Sequence, residues 1–195
     1  MMEDYMESIY YAVKIVALLW MLMVAFIAMF GANRSVKDDR SSMHFLAITL
    51  ITVLPTIGYT VNAGTTAPGA FSWGFPIVSY LGFFVFVLGL VINWTGILTL
   101  NKQWSAIVVI SQNHKLIDTG IYKYIRHPIY AGVLLELLGL GLGLANWISI
   151  LVLVLLNAAS LAYRIYVEEK ALEKHFGDEY MKYAHKTKRL IPGIL

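Results

Sequence analysis

The chain has 195 residues, of which 58% are hydrophobic and only 14% charged, and its mean hydropathy is +0.67. A water-soluble domain carries roughly 45–50% apolar and about 25% charged residues, so this composition excludes an ordinary soluble enzyme and reads as an all-α integral membrane protein. The absence of cysteine excludes disulfides, thiolate nucleophiles and Cys-based metal sites. The net charge of +3 lies between hydrophobic runs, which points to anionic lipid headgroups and not to nucleic acid.

Five apolar runs of about membrane-crossing length follow one another. The first span is predicted over Tyr10–Phe30, with acidic residues in front (Glu3, Asp4, Glu7) and basic ones behind (Arg34, Lys37, Arg40). A cleavable leader would have the reverse charge and a shorter core, so this run is expected to be a retained helix. A second span is predicted over His44–Gly64, kinked at Pro55. After the uncharged loop Thr65–Gly74, a third runs over Pro76–Leu100. The polar segment Asn101–His127 leads to two more spans, Pro128–Leu144 and Trp147–Val167, joined by a tight Ala145-Asn146 turn. A polar tail is expected from Glu168.

Of the fifteen Lys and Arg residues, all but Lys14 fall in the 31–43 loop, the 101–127 segment or the stretch from Arg164 onward. Five spans put these three regions on one side. The positive-inside rule makes that side cytoplasmic, with the N-terminus outside and the C-terminus inside.

Gly82, Gly89 and Gly96 recur every seventh residue along the third span, and Gly132, Gly139 and Gly143 share a face of the fourth. Small residues let helix backbones approach closely in lipid. A nucleotide-binding reading of Gly139-Leu-Gly141-Leu-Gly143 fails, because no strand precedes it and the sixth-position glycine is missing. Glu136 lies within the fourth span, where an ionised carboxylate costs about 2.5–3.5 kcal/mol on insertion scales. It is expected to face the bundle interior, either as a structural hydrogen-bonding group or beside a substrate cavity.

The chemistry-bearing residues gather at the two feet of the last hairpin. Pro128 suits the first helical position, which makes His127 the cap residue and aims free backbone N–H groups at the interface. Arg164 and Glu168 are spaced i, i+4, and taken alone they would be a helix-stabilising pair. The antiparallel hairpin brings them beside the Arg126–Tyr130 end. With no cysteine and no His-x-x-x-His pair, no metal site is expected. His44, His175 and His185 are read as interfacial or solvated. The Lys182–Arg189 cluster is read as a solvated headgroup contact, or as a cover over the site.

Five elements in order carry a family resemblance. They are Gly120-Ile-Tyr122; Arg126-His127-Pro128-x-Tyr130-x-Gly132; Arg164 with Glu168-Glu169; Phe176-Gly177-x-x-Tyr180-x-x-Tyr183; and Arg189-x-Ile-Pro192. Over about Lys102 to Pro192 the chain resembles the isoprenylcysteine carboxyl methyltransferase family. Phospholipid methyltransferases and membrane sterol reductases share parts of the same pattern. The resemblance divides the chain into three N-terminal transmembrane helices (1–100) and a methyltransferase-like region (101–195). It implies S-adenosylmethionine as methyl donor and a lipophilic or lipidated substrate reached from the membrane lipid.

By the same resemblance, Gln112, His114, Lys115, Leu116, Ile117, Tyr122, His127, Pro128, Ile129, Tyr130 and Glu168 would contact the cofactor, and Arg164 would meet the substrate carboxylate. The Glu168-Glu169 pair is shorter than the acidic run of eukaryotic members, and the spans are fewer. Both point to a minimal, prokaryotic member in the cytoplasmic membrane; a eukaryotic member would sit in the endoplasmic reticulum. The other readings are a phospholipid amine N-methyltransferase with His127 as base, a nicotinamide-dependent reductase, and a membrane scaffold without enzymatic activity.

Overall fold

The computed structural model of the chain describes residues 40–63, 66–71, 75–105 and 115–192, together with Ile15 and Trp20. The predicted first span therefore lies outside the described residues, apart from those two. Within them the architecture is helical: α1 (Arg40–Ala63), α2 (Phe75–Leu100), α3 (Pro128–Gly143), α4 (Trp147–Phe176) and α5 (Asp178–Lys186). Short 3-10 turns span Asn101–Gln103 and Gly120–Lys123. Three of the helices, α1, α2 and α4, are long and apolar enough to cross a membrane.

Two boundaries differ from expectation, and one helix is shorter than a full span. The second predicted span begins earlier, at Arg40, and its helix continues through Pro55. The helix predicted over Pro128–Leu144 has 16 residues, about 24 Å at 1.5 Å per residue. That is shorter than the roughly 30 Å hydrocarbon thickness and than the three longer apolar helices. The fifth predicted span does not stop at Val167. Its helix runs on through Glu168-Glu169-Lys170-Ala171-Leu172 to Phe176, because these are strong helix formers even where they are polar. It ends at Gly177, whose φ of +53° needs glycine's freedom.

The glycine seam packs α2 on α3 antiparallel. A Cβ added at Gly89 would lie 2.7 Å from the Glu136 nitrogen and the Gly132 oxygen, and one at Gly132 would lie 2.7 Å from the Asn93 nitrogen. Only hydrogen in place of a side chain lets the two backbones come this close. Gly82 meets the Gly139–Gly143 end and Gly96 meets Pro128 and Ile129, which fixes the register along the whole seam. Glu136 is 1% exposed in this seam; it accepts from Asn93 Nδ2 at 2.9 Å and from the Trp20 indole N–H. The structural reading of Glu136 holds, since both carboxylate oxygens have donors inside the bundle.

α4 turns back from α3 through Ala145-Asn146. The Asn146 side chain caps α4 by accepting from the Ser149 N–H at 3.0 Å, as N-cap asparagines do. On its other flank α4 meets α1. Asn157 is fully buried; it accepts from Thr49 Oγ1 at 2.7 Å and donates to Thr52 Oγ1 at 3.0 Å. The outward faces carry Ile51, Ile77, Phe84 and Leu98 well exposed, which is the expected surface toward lipid. At one end, the Ala67–Phe71 loop binds the α3–α4 turn through Phe71 N to Ala145 O and Trp147 N to Gly69 O. The opposite end holds the site.

Candidate active site

Four elements converge at that end. α3 begins at Pro128 with His127 as its N-cap, as the sequence predicts. α4 brings Arg164, Glu168 and Glu169; α1 brings Ser42; and α5 with the tail brings Tyr183, Thr187 and Arg189.

The centre is the Tyr130 hydroxyl. It donates to Glu168 Oε2 at 2.5 Å and accepts from Arg164 Nε at 2.9 Å. Arg164 and Glu168, the i, i+4 pair, thus meet at a phenol from the facing helix. The Arg164 Nη1 also donates to Ser42 Oγ, and Arg164 is 5% exposed. Two elements besides its own helix therefore fix the guanidinium, and its fork is held in one orientation. The His127 ring stacks on the Tyr130 ring, with centroids 5.4 Å apart and planes 11° from parallel. His127 Nδ1 lies 3.8 Å from Glu168 Oε2, and its Nε2 lies 3.3 Å from Glu169 Oε1.

Glu168 keeps an open side. Its side chain is 29% exposed, and among the described residues it is engaged at Oε2, by Tyr130 and His127. A half-open carboxylate beside a helix N-terminus and a flat aromatic stack is a fitting donor set for a cationic, ribose-bearing cofactor such as S-adenosylmethionine.

Other predicted contacts fall less evenly. Tyr122 is buried, and its carbonyl accepts from the Tyr183 hydroxyl at 2.9 Å. Burial, with the Glu168 carboxylate nearby, pushes the Tyr122 phenol above its ordinary value. The Ile129 side chain turns onto Gly96 of α2, and the Pro128 ring also faces Gly96. Both side chains therefore contribute to the helix seam. Lys115 donates its backbone N–H to Gln103 Oε1 at 2.6 Å. Among the described residues, no hydrogen bond or ion pair joins Lys115, Leu116 or Ile117 to the Tyr130 cluster. Gln112 and His114 lie outside the described residues.

Sequence reasoning assigned no role to Ser42, Arg126 or Glu169. Glu169 Oε1 accepts from Arg126 Nε at 3.0 Å, and its Oε2 accepts from Arg189 Nε at 3.0 Å and Nη2 at 2.9 Å. The tail lies against residues 125–127, with Arg126 N donating to Lys188 O at 2.7 Å and His127 N to Arg189 O at 2.9 Å. In the Lys182–Arg189 cluster, Arg189 is bound to Glu169 while its side chain stays 55% exposed. Lys182, Lys186 and Lys188 are exposed, as expected. Arg126 and Glu169 both stood in the recurring motif; Ser42 carried no signal, because nothing local marks it.

The model of the isoprenylcysteine carboxyl methyltransferase (ICMT) family matches residues 80–174, a range that holds Tyr130, Arg164, Glu168 and Glu169. Protein-S-isoprenylcysteine O-methyltransferase B of Arabidopsis thaliana is 30% identical over 171 residues, covering 86% of this chain and 84% of that protein. This chain belongs to the isoprenylcysteine carboxyl methyltransferase family. A protein-S-isoprenylcysteine O-methyltransferase of Schizosaccharomyces pombe is 36% identical over 118 residues, which are 60% of this chain and 49% of that protein. The solved structure of a eukaryotic intramembrane Ras methyltransferase of the ICMT family aligns with a TM-score of 0.57 over 98% of this chain and 84% of that one. At 20% identity, that likeness speaks for the fold. Family membership makes the chain a membrane methyltransferase of the protein-S-isoprenylcysteine O-methyltransferase class.

Proposed function

We propose that the chain transfers a methyl group from S-adenosylmethionine to the carboxylate of an isoprenylcysteine-like lipophilic substrate at the cytoplasmic membrane face. In this reading five spans place the N-terminus outside, with the Tyr130 cluster facing the cell interior. The observation that carries the proposal is the Tyr130 hydroxyl, which holds a buried arginine and a half-open carboxylate at one spot. Arg164 supplies the cation for an anionic acceptor, and Glu168 supplies the anion for a cationic donor.

S-adenosylmethionine brings an electrophilic methyl group on a sulfonium, so the protein has mainly to position the reactants and exclude water. A C-terminal carboxylate has an ordinary pKa of about 3.3–3.7 and is already anionic at neutral pH. No general base is required. Arg164 holds one acceptor oxygen by a charge-assisted bond and leaves the other directed at the methyl group. The fixing of its fork by Tyr130 and Ser42 supports that orienting role. Glu168 would hold the donor, with the His127–Tyr130 stack and the first N–H groups of α3 beside it. The acceptor's lipid tail enters sideways from the membrane.

The test is radiolabelled methyl transfer by purified protein in lipid vesicles, with farnesylcysteine and phosphatidylethanolamine compared as acceptors. Label in farnesylcysteine is the expected result. Label in phosphatidylethanolamine alone would replace the proposal with amine methylation and make His127 a base. Calorimetric binding of reduced nicotinamide, without binding of S-adenosylhomocysteine, would replace it with reduction.

A further inference from the structure

The Glu169 carboxylate is more heavily engaged than Glu168, yet it lies one residue further from the Tyr130 hydroxyl. Three donor side chains reach it: Arg126 from the entry to α3, His127 from the α3 cap and Arg189 from the tail. Its own side chain is 14% exposed, and that of His127 is 3% exposed. Burial alone would raise the Glu169 carboxyl, but the bonds from His127, Arg189 and Arg126 hold it well below the usual carboxylate range. It lies beyond Val167, where the apolar run of α4 ends.

The tail has a second set of anchors on the same segment. Arg126 Nη1 donates to Ala184 O at 2.7 Å and also to Thr187 O, closing the C-terminal end of α5. Thr187 Oγ1 donates to Tyr183 O at 2.8 Å. One carboxylate from α4 thus ties together the imidazole that faces Glu168 and the tail that covers the segment before it. The Arg164 guanidinium is held separately, by Tyr130 and Ser42.

We infer that Glu169 is a positioning residue for the donor half of the site. It acts through His127 and through the Arg189 clasp on the C-terminal tail, and it leaves the acceptor half alone. This rests on the methyltransferase reading above. Loss of the charge removes the Arg189 side-chain clasp and the contact to His127, leaves the backbone bonds of the tail in place, and loosens the setting of Glu168, while Arg164 keeps its fork.

The experiment is steady-state methyl transfer by the full chain in lipid vesicles, with KM measured separately for S-adenosylmethionine and for farnesylcysteine. Groups that orient a metal ligand contribute about 10–100-fold in affinity or activity, and taking the low end of that scale for this site, E169Q is expected to raise the donor KM about tenfold and move the acceptor KM less than about twofold. R189A removes one exposed partner and is expected to raise the donor KM about threefold, and E169Q/R189A to be no worse than E169Q alone, because the two share one interaction. E169D, which keeps the charge, restores most of the loss.

A purely structural role would lower the active fraction, seen as kcat, and leave both KM values in place. That outcome overturns the inference, as does a donor KM unmoved in either folded variant. Should E169Q fail to fold, R189A decides by itself. If the unsubstituted chain methylates nothing, the underlying reading fails; if it methylates farnesylcysteine and the donor KM stays fixed, only the role of Glu169 fails.

Discussion

Tyr130→Phe deletes a single oxygen at the point where the two halves of the site meet. The phenyl ring can keep its stack on His127, 5.4 Å between centroids, so the hairpin should remain folded. Two charge-assisted bonds disappear, to Glu168 and from Arg164. They do not count equally. Glu168 is 29% exposed on its side chain and recovers most of its loss from water. Arg164 is 5% exposed, and its Nε loses its acceptor in a place water reaches poorly. A hydrogen bond to a charged group contributes about 1.5–3 kcal/mol, and the arginine side of the deletion should cost that much. If Arg164 orients the acceptor only when its fork is fixed, the loss appears in the transition state. It converts to a fall in kcat of about 10–100-fold. The assay is radiolabelled methyl transfer to farnesylcysteine at saturating donor, with thermal unfolding in detergent as the folding control. A kcat within about twofold of the unsubstituted protein, in a folded variant, would refute the claim that the Tyr130 hydroxyl aligns Arg164.

Further outcomes follow from the same geometry. Arg164→Ala should abolish turnover while S-adenosylhomocysteine affinity, measured by calorimetry, stays nearly intact; wild-type rates would remove Arg164 from the acceptor site. Glu168→Ala should weaken that affinity by about tenfold or more, and an unchanged dissociation constant would contradict its role as donor ligand. Gly132→Ala places a Cβ 2.7 Å from Asn93 backbone and side chain. It should lower stability by about 1–3 kcal/mol, read as thermal unfolding in detergent, whereas an unshifted midpoint would mean the α2–α3 seam can open. The depressed Glu169 carboxyl gives a signed pH effect. Its folded-state value lies below the ordinary value of about 4.3, so its stabilisation is complete above that pH and fades as pH falls toward the folded value. The gap in unfolding midpoint between the unsubstituted chain and E169Q should therefore be full at neutral pH and narrow below about pH 4; a gap that widened on acidification would reverse the assignment.

The legible part of the fold came from local regularities. Glycines every seventh residue marked the face of α2 that meets α3, since a face is a matter of helical period. Pro128 marked the first residue of α3, because proline is tolerated there and hardly anywhere else in a helix. The hairpin then followed from two apolar runs and the Ala145-Asn146 turn, and with it the meeting of Arg164 and Glu168 with Tyr130. Less legible was the end of α4. A change from apolar to polar residues reads as the end of a span, yet a helix can outlast the apolar run, and Glu168-Glu169-Lys170-Ala171 continued it. For Ile129 the motif located the residue but not the direction of its side chain, which lies against Gly96 of α2.

Composition, hydrophobic period and motif order by themselves determined that this is a helical membrane protein, that its last hairpin brings cationic and acidic groups together, and which family those groups resemble. All of these are properties of neighbours along the chain. Which charge answers which was decided only by the tertiary structure. Ser42 reaches Arg164 across 122 positions, and Arg189 returns to Glu169 across 20. A carboxylate accepts from any donor within about 3 Å, so the choice between Arg126, His127, Arg164 and Arg189 is made by packing. The antiparallel seams that stack α2 on α3 and α1 on α4 set those distances.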